Sequence, residues 1–131
     1  MAINNRHQRF AKIALQLAYN VYSDVTYQLC ALIIKKNRVL SVGYNSKKTH
    51  PIMNTKTQQR HAECDAILRC PEGDLRGSDM IVVRARGGGL AGLARPCDTC
   101  QAVLKQSDLK QVFYTTNYDD DTTAAIVRLW I

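Results

Sequence analysis

The sequence predicts an α/β domain of three layers, α-β-α, with a mixed sheet of about five strands at its centre. Three observations carry that expectation. Near the N-terminus one apolar face recurs at three- and four-residue spacing, through Phe10, Ile13, Ala14, Leu17, Ala18 and Val21, which is the period of a helix lying on a sheet. The unbroken apolar run Leu29-Cys30-Ala31-Leu32-Ile33-Ile34 follows, as a strand covered on both faces requires. From that strand on, short β-rich and helical runs follow in the order β-β-α-β-α-β, with a short last strand after them. At 131 residues, 46% hydrophobic and 22% charged, the chain suits one compact domain over 1–131, without linker, repeat or low-complexity tract.

In chain order, Asn4 or Asn5 can cap the first helix, which is expected to reach about Tyr22. Ser23-Asp24 breaks the pattern, and Tyr27 to Lys35 reads as the central strand. Asn37-Arg38 is the expected hairpin turn, after which Val39 to Tyr44 returns as a second strand. Asn45 to Arg60 is polar, contains Pro51 and reads as a long functional loop. His61 to Leu68 suits a short buried helix, ended by Cys70-Pro71-Glu72-Gly73. Met80 to Val83 starts a third strand, and Gly87-Gly88-Gly89 breaks it as a flexible loop. Pro96 fits a first helical turn, so a helix is expected from Cys97 to about Gln106. Gln111 to Thr115 is a fourth strand, Asp119-Asp120-Asp121 a solvated acidic turn, and Ala125 to Ile131 a short last strand. About nine residues between these two strands leave no room for a crossover helix, so they are expected to pair antiparallel.

The net charge of +7 is concentrated in one half of the chain. Residues 1–66 hold ten Lys/Arg against three Asp/Glu, whereas residues 67–131 hold eight of each. A basic surface near a site attracts anions, either mononucleotide phosphates or a polynucleotide backbone. Met1 to Arg9 lacks the apolar core of a signal peptide, and no apolar run approaches the roughly 20 residues that span a bilayer. The expectation is a cytoplasmic protein with no membrane partner.

The chemistry is concentrated in His61-Ala62-Glu63 and Pro96-Cys97-Asp98-Thr99-Cys100. An odd count of five cysteines, two of them in a C-x-x-C pair, argues for metal rather than a disulfide framework, with Cys30 a reduced core residue. His61, Cys97 and Cys100 suit a tetrahedral Zn²⁺, one per chain, and leave its fourth position for water, while Glu63 is a carboxylate not needed as a ligand. The alternative is a closed structural Cys₃His site in which Cys64, one turn from His61, supplies the fourth ligand.

The pattern H-x-E…P-C-x-x-C resembles that of the cytidine and deoxycytidylate deaminase superfamily, and His61-Ala62-Glu63-Cys64-Asp65-Ala66-Ile67 looks like the family's H-A-E-x-x-A-I. The resemblance implies a cytidine-deaminase-like fold and a hydrolase that converts a cytosine base to uracil with release of ammonia. Glu63 would then move the protons, the backbone around Ala62, Arg95 and Pro96 would bond the base, and Asn45 of Gly43-Tyr44-Asn45 would contact the sugar. Arg95 departs from the Glu or Ser common before Pro-Cys. An antiparallel last strand is similar to nucleoside-type members. With two Phe, one Trp and no RNA-binding motif, a free nucleoside or nucleotide (cytidine, deoxycytidine or a monophosphate) is the expected substrate, and cytosine or adenine in a nucleic acid the alternative. Lys47 and Lys48, with neighbouring His50, follow Asn45 closely enough to reach a 5′-phosphate. Small relatives complete their sites across subunits, so a homo-oligomer is expected.

Overall fold

The structure, a computed structural model, describes residues 5–20, 28–46, 61–71, 73–86, 91–116 and 126–129. The central apolar run forms β1 (Gln28–Lys35), and β2 (Arg38–Tyr44) pairs with it antiparallel. The connecting turn is Lys36-Asn37, one residue earlier than the sequence suggested. Lys36 takes φ 57°, the left-handed conformation that the first position of a tight hairpin turn demands, and Arg38 already pairs with Lys35. A bulge opposite Ile33 and Ile34 directs both Leu40 and Ser41 toward one face of the sheet.

On its other side β1 pairs antiparallel with β3 (Asp79–Ala85). β3 carries a two-residue strand, β4 (Ala91–Gly92), at its end and pairs in parallel with β5 (Gln111–Thr115). β6 (Ile126–Leu129) closes the sheet antiparallel to β5, as the short link between them requires. The order is β2-β1-β3-β5-β6 with β4 beside β3, a mixed sheet of six strands. β4 had no sequence signal, because two residues are too few to show a period.

Period-two alternation divides the core between the two faces. Cys30, Leu32, Ile34, Ile81, Val83 and Phe113 lie under α1 (Asn5–Asn20), whose Phe10, Ala11, Ala14 and Ala18 are buried. Ile13, placed by periodicity on the buried face, is 40% exposed instead. The contact stripe runs through His7, Phe10, Ala11, Ala14 and Ala18, with small alanines letting the helix sit close. His7 is buried, with Nε2 3.3 Å from Asp79 Oδ2 and its ring 4.3 Å from that of Phe113.

The opposite face, Ala31, Ile33, Met80, Val82, Val112 and Leu129, carries α2 (Ala62–Arg69) and α3 (Asp98–Gln106) through Ala62, Ala66 and Leu104. The three layers are those expected. No helix among the described residues is long and apolar enough to cross a membrane. The polar loop from Lys47, the glycine run and the acidic turn lie outside the described residues.

Candidate metal centre

Two helix N-termini meet on the sheet face that carries α2 and α3. His61 caps α2 in extended conformation, φ −82° and ψ 149°, and Cys97 caps α3 likewise, φ −69° and ψ 169°. Both helices therefore begin one residue later than expected, since the ligands sit at the caps. Their carbonyls accept the first helical hydrogen bonds, from Asp65 N–H at 2.9 Å and Gln101 N–H at 2.8 Å. Cys100 follows in the first turn of α3. The side chains are thus held at two helix N-termini, the positive ends of the helix dipoles.

His61 Nδ1 lies 2.9 Å from Cys100 Sγ and 3.6 Å from Cys97 Sγ, and the three ligand atoms fall within 4.8 Å of one another. Tetrahedral zinc with bonds near 2.0 Å to nitrogen and 2.3 Å to sulfur places such atoms about 3.5–3.8 Å apart, so the cluster is of the size a single Zn²⁺ spans. The donor chemistry agrees. Burial pushes the His61 imidazole below its ordinary pKa, leaving it in the neutral, metal-binding form. The Cys100 thiol is pushed up by its hydrogen bond with Cys64, by burial and by the negative charges of Glu63, Cys64 and Cys97, a surplus that a cation would offset. His61, Cys97 and Cys100 therefore fit a zinc site, one ion per chain.

Cys64 Sγ stands 4.0 Å from Cys100 Sγ but outside the three-atom cluster. That arrangement disfavours the closed four-ligand site. Glu63 is 4% exposed and hydrogen-bonded to Cys100; burial raises its carboxyl pKa, against the lowering effect of hydrogen bonds from its own backbone and from Cys100.

Of the remaining sequence candidates, Ala62, Arg95 and Pro96 adjoin the ligands along the chain. Ala62 and Pro96 are buried and Arg95 is exposed, each within two residues of a ligand. Gln101 Nε2 donates to Pro96 O at 2.8 Å, fixing the carbonyl before Cys97. Asn45 stands at the end of β2, where its Oδ1 accepts the Leu29 N–H at 2.9 Å. Lys47, Lys48 and His50 lie outside the described residues.

Sequence reasoning missed the groups that tie this site to the sheet. Thr115, fully buried, donates through Oγ1 to Gly92 O at 2.7 Å, and its carbonyl accepts the Ala94 N–H at 2.8 Å. It thereby anchors the segment leading to Pro96. Gly43 lets β2 touch α2: a Cβ there would lie 2.3 Å from Ala66 N and 2.4 Å from Ala62 O. Asp65 is 3% exposed and accepts the Tyr44 N–H at 3.0 Å. The available signal for Asp65 was an acid among Ala62, Ala66, Ile67 and Leu68; Thr115, ending a strand, gave none.

Comparison with known proteins agrees with the motif and the fold. Residues 4–116 match the family described as "Cytidine and deoxycytidylate deaminase zinc-binding region". A "Probable deoxycytidylate deaminase" of Caenorhabditis elegans is 28% identical over 127 residues, covering 88% of this chain and 59% of that protein. An "Uncharacterized deaminase in luxG 3'region" of Aliivibrio fischeri is 30% identical over 123 residues, covering 86% of this chain and 76% of that protein. Among solved structures, the apo dCMP deaminase of cyanophage S-TIM5 superposes with a TM-score of 0.59 at 19% identity, covering 91% of this chain and 88% of that one. Acinetobacter baumannii RibD, form 1, superposes with a TM-score of 0.56 at 22% identity, covering 85% of this chain and 28% of that one. A zinc-fitting His-Cys-Cys cluster, the three-layer sheet and a match across most of its length place the chain in the cytidine and deoxycytidylate deaminase family.

Proposed function

We propose that the protein is a zinc-dependent hydrolase that deaminates the cytosine base of a free nucleoside or nucleotide, with deoxycytidylate the favoured substrate. The observation that carries this reading is a buried carboxylate, Glu63, beside a three-ligand cluster that does not need it as a ligand. When bound, zinc supplies Lewis acidity that makes a water nucleophilic at neutral pH. Beside the three ligands, Glu63 would carry one proton from water to ring N3, where it stays, and a second from the new C4 hydroxyl to the amino group. C4–O forms first, and C4–N then breaks as ammonia leaves and the C4 carbonyl of uracil is made. The raised pKa of Glu63 suits proton donation as well as uptake. Backbone groups of Ala62, Arg95 and Pro96 hold the base, and Asn45 holds the sugar.

Deoxycytidylate is favoured because a relative matched over 88% of this chain bears the name probable deoxycytidylate deaminase. The cyanophage enzyme of similar fold has been solved in complex with dCMP and dUMP. In this reading Lys47 and Lys48 bind the 5′-phosphate, and self-association completes the pocket. Purified zinc-loaded protein should release ammonia from deoxycytidylate faster than from cytidine, deoxycytidine or short oligonucleotides. Faster release from an oligonucleotide would replace the substrate assignment, and release from none would reject the reading.

A further inference from the structure

β2 and α2 are joined at three places. Ser41 Oγ donates to Ala66 O at 2.7 Å, Gly43 lies against the backbone of Ala62 and Ala66, and the Tyr44 N–H donates to Asp65 Oδ2 at 3.0 Å. The third contact is the unusual one. Asp65 is buried among apolar neighbours, where a carboxylate is costly unless its oxygens are bonded. Arg69 Nε, one turn along, donates to the same oxygen at 3.0 Å, but its own side chain is 63% exposed. A pair half in solvent contributes little to stability, and an apolar residue of similar volume would pack as well. The carboxylate oxygen therefore has another use, as the acceptor of the Tyr44 N–H.

What the bond fixes is the end of an edge strand. Tyr44 is the last residue of β2, and its neighbour Asn45 accepts the Leu29 N–H through Oδ1. Because the backbone N–H must donate, the facing atom is the amide oxygen, and the plane of the Asn45 amide is set. One chain of hydrogen bonds thus runs from Asp65 to the Tyr44 N–H, and through the next residue to Leu29.

We propose that Asp65 is a positioning residue for the deamination reaction, holding Asn45 in register with Glu63 through its hydrogen bond to the Tyr44 N–H. The inference rests on the proposed function, in which Asn45 faces the sugar and Glu63 the base. Sugar and base are covalently linked, so the two groups that hold them must keep a fixed separation; when only the sugar contact drifts, binding weakens while Glu63 stays in place, which raises KM rather than lowering kcat. Asp65 stands two residues after Glu63 on the same turn of α2 and reaches the residue adjacent to Asn45.

The test uses full-length, zinc-loaded protein carrying Asp65→Ala, Asp65→Asn or Arg69→Ala, with Asp65→Leu in parallel to keep the volume filled should the alanine variant fail to fold. The Leu29 amide reports where Asn45 is, independently of turnover. In Asp65→Ala or Asp65→Leu it should exchange with deuterium about tenfold faster, as expected for loss of one hydrogen bond, while the amide of Leu32 in the middle of β1 keeps its protection. Zinc should remain at one per chain, KM for deoxycytidylate should rise about tenfold, and kcat should change less than about twofold. Asp65→Asn keeps an acceptor for the Tyr44 N–H and should restore both exchange and KM; Arg69→Ala should resemble the wild type. Unchanged Leu29 exchange, an asparagine variant no better than alanine, or zinc, kcat and KM failing together would overturn the proposal. If the wild type turns over no cytosine nucleoside or nucleotide, the functional reading fails and the proposal with it. If it does, and Asp65→Ala matches it, only the proposal fails.

Discussion

Gly43→Ala adds one methyl group at the closest approach between sheet and site helix. The new Cβ would lie 2.3 Å from Ala66 N, 2.4 Å from Ala62 O and 2.8 Å from Ala66 Cα, all backbone atoms that no rotamer change can move. Ordinary contact begins near 3.4 Å, so β2 and α2 must separate by about 1 Å, an overpacking strain worth roughly 1–3 kcal/mol. The start of α2 carries His61 at its cap and Glu63 in its first turn, so the same displacement reaches the metal cluster and the Glu63 carboxylate. A shift of that size is expected to lower kcat/KM about 100-fold. Gly92→Ala is the control, because its Cβ would meet side-chain atoms, Arg86 Cγ at 3.0 Å and Arg84 Cδ at 3.2 Å, which can move aside. Urea unfolding of the zinc-loaded proteins, together with ammonia release from deoxycytidylate, measures both effects. A Gly43→Ala protein with the stability and activity of Gly92→Ala would refute the claim that close backbone approach positions the site.

Four further outcomes are expected. Glu63→Ala should keep one zinc per chain and the fold yet lose activity by several orders of magnitude, whereas Cys97→Ala should lose zinc and stability together, because metal binding is coupled to folding; zinc analysis and thermal melting separate the two, and equal zinc loss would contradict the assigned roles. Thr115→Val removes the donor to Gly92 O and should lower stability by about 1–2 kcal/mol while weakening zinc retention against a chelator, since the segment leading to Pro96 keeps its backbone bond at Ala94 but loses its side-chain anchor at Gly92. Replacing Lys47 and Lys48 together by alanine should raise KM for a monophosphate far more than for the nucleoside; weaker oligonucleotide binding with unchanged mononucleotide kinetics would reassign the basic surface. Burial pushes the Cys30 thiol from 9.0 to about 12, so the folded state prefers the proton. This contribution is complete below pH 9 and is lost as pH rises from 9 toward 12. Unfolding at pH 8 and pH 10 should show the wild type losing about 1.4 kcal/mol more than Cys30→Ala, and equal losses would reject it.

The parts of this protein that were legible in the sequence are those in which one residue type answers one demand. His61, Cys97 and Cys100 could be read as ligands because soft and borderline donors at a C-x-x-C spacing have few other uses, and the structure brings all three together. The run from Leu29 to Ile34 could be read as a strand because only burial on both faces tolerates six apolar residues in succession. Alternation then predicts the two cores, with Cys30, Leu32 and Ile34 under α1 and Ala31 and Ile33 under α2. What escaped were positions whose meaning depends on a distant partner. Asp65 resembles any helical acid until Tyr44, 21 residues earlier, presents its N–H. Gly43 looks like a strand glycine until α2 arrives within 3 Å of where its side chain would be. Ile13 fits the helical period, but the stripe that meets the sheet is set by which side chains are small enough for close approach, and three alanines outweigh it. Ligand chemistry is thus encoded locally, while the register that makes the ligands useful is encoded in pairs. Variants at Gly43, Asp65 and Thr115 should therefore disturb catalysis more than their sequence context suggests, without touching a single ligand.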